Sequence, residues 1–320
     1  MAKLGIMIEG QEGLTWERWN RLIDAGERLG FDSIWRSDHL FSVMGVSERD
    51  TLALWPSLTA VATRSSTLEF GQLVSPVTYR HPVHLAFDAV SLHELSGGRF
   101  WLGVGAGWNV AEHAAFGFRL PPLKERMDRF EESLRVITGL WSGEPVTFQG
   151  EHFQLDGAQH RPAPGNGERV PIMIGGGGEK RTLRVVAEYA DEWNVTTISR
   201  ENYDAKVDVL KRHCEAVGRD FGAIRRSLMT GHIIGRTRQE IERRAERIQQ
   251  VIPTVRDMSP GDAADQFRDR GWLVGTPVEI VEEIKAREAQ GLQRFMLQTH
   301  DQDDIEALEL WAAEVMPHIA

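Results

Sequence analysis

Short apolar runs alternate with longer amphipathic runs along almost the whole chain, and this alternation limits the fold more than any other feature of the sequence. KLGIMIE (3–9) and LEFGQLVS (68–75) have the length of buried strands, whereas TWERWNRLIDAGERLG (15–30) spaces apolar residues as a helix does before a glycine. Eight such strand–helix periods occur, with no linker between halves. They predict an α/β fold, a (β/α)8 TIM barrel formed by a single domain over residues 1–320. A doubly wound sheet of six strands is the alternative, but it leaves two periods unplaced.

Two segments interrupt this alternation and are predicted to be insertions after strands. Residues 143–169 contain the sequence EPVTFQGEHFQLDG, which indicates a hairpin, and end in a Pro/Gly-rich loop. Residues 250–270 follow the helical run RQEIERRAERIQQVI and are expected to form either a mobile lid or packed helices.

The charge balance and the cysteine count limit the partners and the compartment. Lys and Arg total 37 against 47 Asp and Glu, which argues against nucleic acid or an anionic membrane as the main partner. The one cysteine, Cys214, excludes an intrachain disulfide and suits a reducing compartment, so a cytoplasmic location is expected. The sequence contains no apolar run long enough to span a membrane.

In a TIM barrel, ligands bind where the strands end and the loops before the helices begin. Applied to the predicted strands, this rule selects five groups of candidate site residues: Asp38 and His39, 74–78, 105–108, 175–178, and 195–197.

Four consecutive glycines, Gly175–Gly178, follow an apolar strand and precede a helical run. Backbone N–H groups at such a turn can bind an anion, and the N-terminus of the following helix favours negative charge. Lys180, Arg181 and Arg184 add positive charge at the same place. The glycine turn is therefore predicted to bind a phosphate; a flexible turn with solvated basic residues is the alternative.

Asp38 and His39 end the second predicted strand, and this pair is the main candidate for proton transfer. A purely structural role is the alternative. The sequence has neither a zinc-binding H-E-x-x-H pattern nor a G-x-S-x-G nucleophile motif, and Cys214 lies within a helical run without an activating neighbour. No metal site is expected, and the chemistry is expected to belong to a bound organic cofactor.

The chain resembles the bacterial luciferase-like family of flavin and deazaflavin oxidoreductases. The resemblance is carried by GFDSIWRSDHLF, TYRHPVHLAFDAVSLHELSGGRFWLGVGAGWNVAEHAAFG, LWSGEPVTFQGEHFQL, PIMIGGGGEKRTLRVVAEYADEWN and GTPVEIVEEIKAREAQG. The stretches GGGGEKRTLRVVAEYADEWN and HCEAVGRD are most similar to the branch that uses coenzyme F420, a deazaflavin.

The resemblance implies a TIM barrel with the cofactor ring over the strand ends and the cofactor phosphate at the glycine turn. It implies a non-proline cis peptide at Val74–Ser75, with His39 as proton donor or base and Asp38 and Glu112 positioning cofactor or substrate. The implied cofactor-binding residues are Asp38, Val74, Ser75, Thr78, Ala106, Gly107, Trp108, Gly175, Gly176, Gly177, Gly178 and Thr196.

The resemblance also bears on the substrate. Sugar-phosphate dehydrogenases of the family have a glutamate where this chain has Trp108, and a tryptophan cannot transfer a proton, which argues against glucose 6-phosphate oxidation. The aromatic residues Trp108, Trp35, Phe41 and Trp193 suggest an apolar, planar or bulky substrate.

Three functions follow from the resemblance. The first is F420-dependent hydride transfer to or from a small organic molecule. The second is an FMN-dependent monooxygenase that receives reduced flavin from a partner reductase and uses oxygen. The third is a barrel that binds a flavin without turnover. A homodimer is expected in each case.

Overall fold

Eight parallel strands form a closed barrel in the computed structural model, which describes residues 2–46, 48–164 and 169–319. The strands in chain order are β1 (Lys3–Ile8), β2 (Ser33–Arg36), β3 (Glu69–Gln72), β4 (Ser75–Pro76), β5 (Phe100–Gly105), β6 (Val146–Gln149), β7 (Gln154–Ala158), β8 (Ile172–Gly175), β9 (Glu192–Thr196), β10 (Arg225–Ile234), β11 (Leu273–Gly275) and β12 (Arg294–Gln298). The barrel order is β1-β2-β3-β5-β8-β9-β10-β12, with β4 continuing β3 along β5. The barrel closes where β12 pairs with β1. The predicted barrel is confirmed, and the doubly wound alternative is excluded.

Helices follow the barrel strands and cover the outside of the barrel. They are α1 (Trp16–Leu29), α2 (Leu54–Arg64), α3 (Pro82–Leu95), α4 (Val110–Ala115), α5 (Leu123–Leu140), α6 (Thr182–Tyr189), α7 (Arg200–Val217), α8 (Arg238–Val251), α9 (Pro260–Asp269), α10 (Pro277–Ala289), α11 (Ile305–Glu314) and α12 (Met316–Ile319). Within the described residues, no helix has both the length and the apolar character required to cross a bilayer.

The predicted boundaries of two helices are wrong. The run after the glycine turn predicts a helix from Glu179, whereas α6 begins at Thr182, so the loop after Gly178 is longer than predicted. The sequence PSLTAVATRS predicts a helix that starts at Pro56, whereas α2 begins two residues earlier, at Leu54. Proline is tolerated in a first helical turn because the backbone N–H that it lacks has no intrahelical partner there, so Pro56 does not mark the first residue.

Both segments that interrupt the strand–helix alternation contain regular secondary structure. In the first, β6 and β7 form an antiparallel hairpin, and the Glu132 carboxylate accepts backbone N–H bonds from Glu151, His152 and Phe153 at its tip. Residues 165–168 of the predicted loop lie outside the described residues. In the second, α8 and α9 share a buried apolar cluster that includes Ile248, Val255 and Phe267. This packing favours packed helices over a lid for residues 250–270.

A buried ion network closes the amino-terminal end of the barrel. Arg294, at the start of β12, is fully buried and lies 2.8 Å from the Asp32 carboxylate and 2.9 Å from that of Glu192. Glu69, at the start of β3, is its third acidic partner. The guanidinium also lies over the rings of Trp35 and Trp101 in the barrel interior. Ligands therefore have to enter the barrel at its other end.

Candidate active site

A cavity of about 550 Å³ opens at the carboxyl end of the barrel, where the sequence predicted the site. All eight barrel strands, or the residues directly after them, contribute to its wall. The wall includes Glu9, Ser37, His39, Leu73, Val74, Gly105, Ala106, Gly107, Trp108, Glu112, His113, Gly175, Gly176, Asn194, Thr196, Met229 and Gln298.

The predicted proton-transfer residue His39 forms an ion pair with Glu112 in this wall. His39 Nδ1 lies 2.8 Å from Glu112 Oε2, and the other carboxylate oxygen accepts the backbone N–H of Leu40. Glu112 is completely buried in the first turn of α4, which begins after the N-cap residue Asn109. The carboxylate therefore fixes both the ring of His39 and the backbone next to it.

This environment favours the charged imidazolium of His39. Burial by itself disfavours the charge, but the hydrogen bond and the negative charge of Glu112 outweigh it and raise the pKa of His39 above its usual value. Because the pKa in the folded protein lies above that of the unfolded chain, the pair stabilises the fold in acid. This contribution is lost as the pH rises through the folded pKa.

We expect the Glu112→Gln variant to lose activity at lower pH than the wild type. If His39 donates a proton in catalysis, kcat/KM falls as the pH rises through the pKa of His39, and loss of the Glu112 charge lowers that pKa. The measurement is the pH profile of kcat/KM, with Glu144→Gln on an exposed position as the control. An alkaline limb at the same pH in wild type and Glu112→Gln would contradict the assignment.

Asp38, the other member of the predicted pair, does not line the cavity. Its carboxylate is buried behind the wall, 2.7 Å from the Arg80 guanidinium, and accepts a 2.6 Å hydrogen bond from the Ser75 hydroxyl. Its backbone carbonyl accepts the Tyr79 hydroxyl. These contacts fix the backbone that carries His39 and leave no free carboxylate oxygen directed at a ligand.

The chain after β3 has a cis peptide bond at Leu73–Val74, one residue earlier than expected. Ser75 already pairs with Val104 as part of β4, so the irregular peptide lies before it. The Val74 side chain lies against two of the wall glycines: an added Cβ would approach it to 2.8 Å at Gly105 and to 3.3 Å at Gly175. Glycine at these two positions therefore leaves room for Val74 in the cavity wall.

Only half of the glycine turn faces the cavity. Gly175 and Gly176 line it, and Gly176 has φ +115°, a conformation that favours glycine, whereas Gly177 and Gly178 lead away toward α6. The Gly176 carbonyl accepts the Trp193 indole N–H at 2.7 Å, and the Gly177 carbonyl accepts Lys206 Nζ at 2.7 Å.

The positive charge at this turn comes from a different residue than the sequence suggested. Arg181 pairs with Glu131 and Asp128, and Arg184 pairs with Glu131 and Glu188. Both arginines thus join α6 to α5 and are already compensated. Lys206 on α7, which the sequence did not single out, is the cation that contacts the turn itself.

Sequence reasoning missed two ionisable residues of the wall, Glu9 and His113. Glu9 follows β1, and its carboxylate accepts hydrogen bonds from Gln11 Nε2 at 2.7 Å and Gln298 Nε2 at 2.6 Å. His113 lies 2.6 Å from the Asn109 carbonyl through Nδ1 and 2.7 Å from the Thr78 hydroxyl through Nε2. The strand-end rule applied to KLGIMIE would have found Glu9, whereas nothing in the sequence places His113 beside Thr78.

Three of the four aromatic residues assigned to the substrate, Trp35, Trp193 and Phe41, do not line the cavity. Trp35 is fully buried in the barrel interior with Met7, Trp101, Met173 and Met296, and Trp193 stacks on Tyr203 beneath the glycine turn. Trp108 does line the cavity and is 62% exposed. Phe41 packs against Phe116 with ring centroids 5.9 Å apart.

Among residues 2–46, 48–164 and 169–319, no three or more His, Cys, Asp or Glu side chains are arranged to hold a metal ion.

The barrel agrees with the comparison to known families. The sequence model of the luciferase-like monooxygenase family matches residues 3–294, which is most of the chain. The chain belongs to the luciferase-like monooxygenase family. One relative in sequence is the F420-dependent glucose-6-phosphate dehydrogenase of Nakamurella multipartita, 29% identical over 313 residues that cover 92% of this chain and 90% of the relative.

Another relative in sequence is named for a different substrate. The F420-dependent hydroxymycolic acid dehydrogenase of Mycobacterium tuberculosis is 33% identical over 211 residues, 63% of this chain and 56% of that relative. Among solved structures, an F420-dependent secondary alcohol dehydrogenase in complex with an F420–acetone adduct superposes with a TM-score of 0.84. That match has 19% identity and covers 100% of this chain and 99% of the other, so it shows the shared fold.

Proposed function

We propose that this protein is an F420-dependent oxidoreductase that transfers a hydride between the deazaflavin and an organic substrate. The observation that carries the proposal is the ion pair between His39 and the buried Glu112 in the wall of the cavity that the glycine turn also borders. The names of the curated relatives support F420 as the cofactor.

The cavity residues fit a flat, anionic cofactor. Small residues, Gly105, Ala106, Gly107, Gly175 and Gly176, form one part of the wall, where a planar ring system would lie against backbone and the Val74 side chain. At Gly107 an added Cβ would lie 2.6 Å from the Thr78 hydroxyl oxygen, and the residue has φ +82°, so no larger residue fits without movement. Gly176 donates its backbone N–H to the Asn194 carbonyl, so the N–H groups of Gly177 and Gly178 are those that suit the phosphate. Lys206, which also pairs with Glu179, lies nearby.

We place the cofactor against the predicted residues that line the cavity: Val74, Ala106, Gly107, Trp108, Gly175, Gly176 and Thr196. The other predicted residues do not line it and support the wall or continue the turn instead: Asp38, Ser75, Thr78, Gly177 and Gly178.

The protein's own residues supply proton transfer and orientation. When bound, F420 supplies or accepts a hydride and reacts poorly with oxygen. His39 holds its Nδ1 proton against Glu112, which leaves Nε2 as the ring nitrogen that exchanges a proton with the substrate. Asp38, through its contacts with Arg80 and Ser75, fixes the backbone that carries His39. The homodimer and the cytoplasmic location stay predictions.

We expect the protein to bind F420 much more tightly than FMN when tryptophan fluorescence is followed during titration. FMN preference, together with oxygen consumption on addition of reduced FMN, would favour the monooxygenase alternative and a partner reductase. Binding of neither cofactor would contradict both proposals.

A variant pair tests the role of the glycine turn in this binding. Gly176→Asp places a carboxylate in the cavity wall and should weaken F420 binding at least about tenfold, since like charges without a compensating partner repel. Gly157→Asp is the control, because Gly157 also has positive φ but is exposed on β7 with nothing near its Cβ position. Equal affinities in the two variants would contradict phosphate binding at the turn.

A further inference from the structure

The cavity wall has two sides of different chemistry. In the barrel order, the ends of β5, β8 and β9 lie opposite those of β12, β1 and β2. The first side carries the wall glycines and Ala106. The second side carries Glu9, Ser37, His39 and Gln298, which we call the polar side. A flat cofactor that lies against the small residues therefore leaves the polar side to the substrate.

Glu9 differs from the other acid of the wall in its partners. Among the described residues that line the cavity, the acids are Glu9 and Glu112, and no lysine or arginine is present. Glu112 pairs with His39, whereas no ion pair within 4 Å joins Glu9 to a cation of the described chain. Glu9 is 7% exposed, so it is a buried carboxylate at the cavity surface without a contacting cation.

Uncharged amides hold the Glu9 carboxylate in place. Gln11 Nε2 donates to one of its oxygens at 2.7 Å, and Gln298 Nε2 donates to the other at 2.6 Å. The Gln11 amide oxygen accepts the Ser37 hydroxyl at 2.6 Å, which fixes the orientation of that amide. A carboxylate can accept about four hydrogen bonds, so each oxygen of Glu9 keeps the capacity for a further donor. The network thus presents a fixed acceptor to a ligand and supplies no positive charge.

A buried arginine lies behind the polar side and does not contact the Glu9 carboxylate. Arg36 does not line the cavity, and its guanidinium occupies the space beside Gly10, 2.1 Å from where a Cβ would lie. It donates to the Ser57 hydroxyl and to backbone carbonyls. Burial lowers the pKa of Arg36 to about 10, and the charges of Asp38 and Glu9 only partly oppose this effect. Because a buried charge without a contacting partner is costly, Glu9 should attract a cation that enters the cavity.

We propose that Glu9 binds a protonated nitrogen of the substrate and thereby selects substrates that carry an amine. This inference rests on the proposed function and extends it by naming the charge of the substrate. An ammonium group has three N–H donors, which match the remaining acceptor capacity of Glu9. The amine serves recognition only: the hydride is exchanged at another atom, and no covalent bond of the nitrogen is formed or broken. A phosphorylated or carboxylated substrate would instead meet Glu9 and Glu112 without a lysine or arginine.

Three ligands of nearly the same shape and different charge test this selection. Near neutral pH, benzylamine is cationic, benzyl alcohol is neutral and benzoate is anionic. Isothermal titration calorimetry measures their dissociation constants, with and without oxidised F420 bound. The wild type should bind benzylamine about 10- to 100-fold more tightly than benzyl alcohol, the usual effect of a hydrogen bond to a charged group. Benzoate should bind more weakly than benzyl alcohol.

Variants of Glu9 locate the effect. Glu9→Gln should bind benzylamine no more tightly than benzyl alcohol, because glutamine keeps the shape of the side chain and an oxygen for the amide donors but carries no charge. Glu9→Asp keeps the charge and should retain part of the preference. Glu144→Gln is the matched control: Glu144 is exposed and does not line the cavity, so this variant should bind all three ligands as the wild type does.

Three results would overturn the inference. They are equal wild-type affinities for benzylamine and benzyl alcohol, tighter binding of benzoate than of benzyl alcohol, or a preference for benzylamine that persists in Glu9→Gln. If that preference persists in Glu9→Gln and disappears in Glu112→Gln, the amine binds Glu112 instead. Failure of F420 to bind would contradict the proposed function, and the ligand comparison in the protein without F420 would still test the role of Glu9.

Discussion

The His39→Ala variant is expected to lower kcat about 100- to 10,000-fold, the usual contribution of a positioned acid or base. The affinity for F420 should remain almost unchanged, since His39 contributes one side chain to a wall formed by all eight strands. The loss of kcat is expected because Glu112 holds His39 in the orientation and charge state of a proton donor. Single-turnover oxidation of reduced F420 by an accepted substrate measures the chemical step, and fluorescence titration measures the affinity.

The His84→Ala variant serves as the control for this experiment. His84 lies on α3, is exposed and does not line the cavity, so its removal should change neither quantity. If His39→Ala lowers affinity and turnover by the same factor, the histidine holds the cofactor and is not the proton donor. If His39→Ala changes neither the turnover nor the affinity, the proton comes from another group, and Glu9 would be the next residue to replace.

The Arg294→Met variant is expected to lower the free energy of unfolding by about 3–5 kcal/mol, the cost of removing one partner from a buried ion pair. Arg294 is the fully buried cation among Asp32, Glu69 and Glu192, and its replacement leaves these carboxylates without their shared partner. Arg225 reaches Glu69 and Glu192 from the side but is partly exposed. Urea unfolding followed by tryptophan fluorescence measures the change.

The Arg238→Met variant is the control for burial. Arg238 also has two acidic partners, Glu242 and Asp265, but its side chain is 49% exposed on α8. Its replacement should cost at most about 1 kcal/mol, because water screens exposed ion pairs. Similar losses of unfolding free energy in the two variants would show that burial does not make the Arg294 network more stabilising than an exposed ion pair.

The barrel and most of the site could be predicted because they depend on local patterns. Alternating strands and helices gave the eight periods, and the strand-end rule then selected His39, Gly107, Gly175 and Thr196, all of which line one cavity. The family resemblance added Glu112, which the structure places against His39.

The errors concern side chains whose partners come from distant parts of the sequence. Lys206 reaches the glycine turn from α7, and Arg181 is neutralised by carboxylates on α5, which no local pattern reveals. Trp35 and Trp193 lie on predicted strands near the site, but they do not face the cavity. The sequence identifies a strand more readily than the direction of each side chain.

The position of Arg294 in the chain also has a consequence for the order of folding. Its acidic partners, Asp32, Glu69 and Glu192, are synthesised much earlier than residue 294 itself. Until β12 pairs with β1 and β10, the barrel is open at that seam and these carboxylates lack the cation that they share. The strand that closes the barrel therefore also carries the charge that joins the ends of three earlier strands.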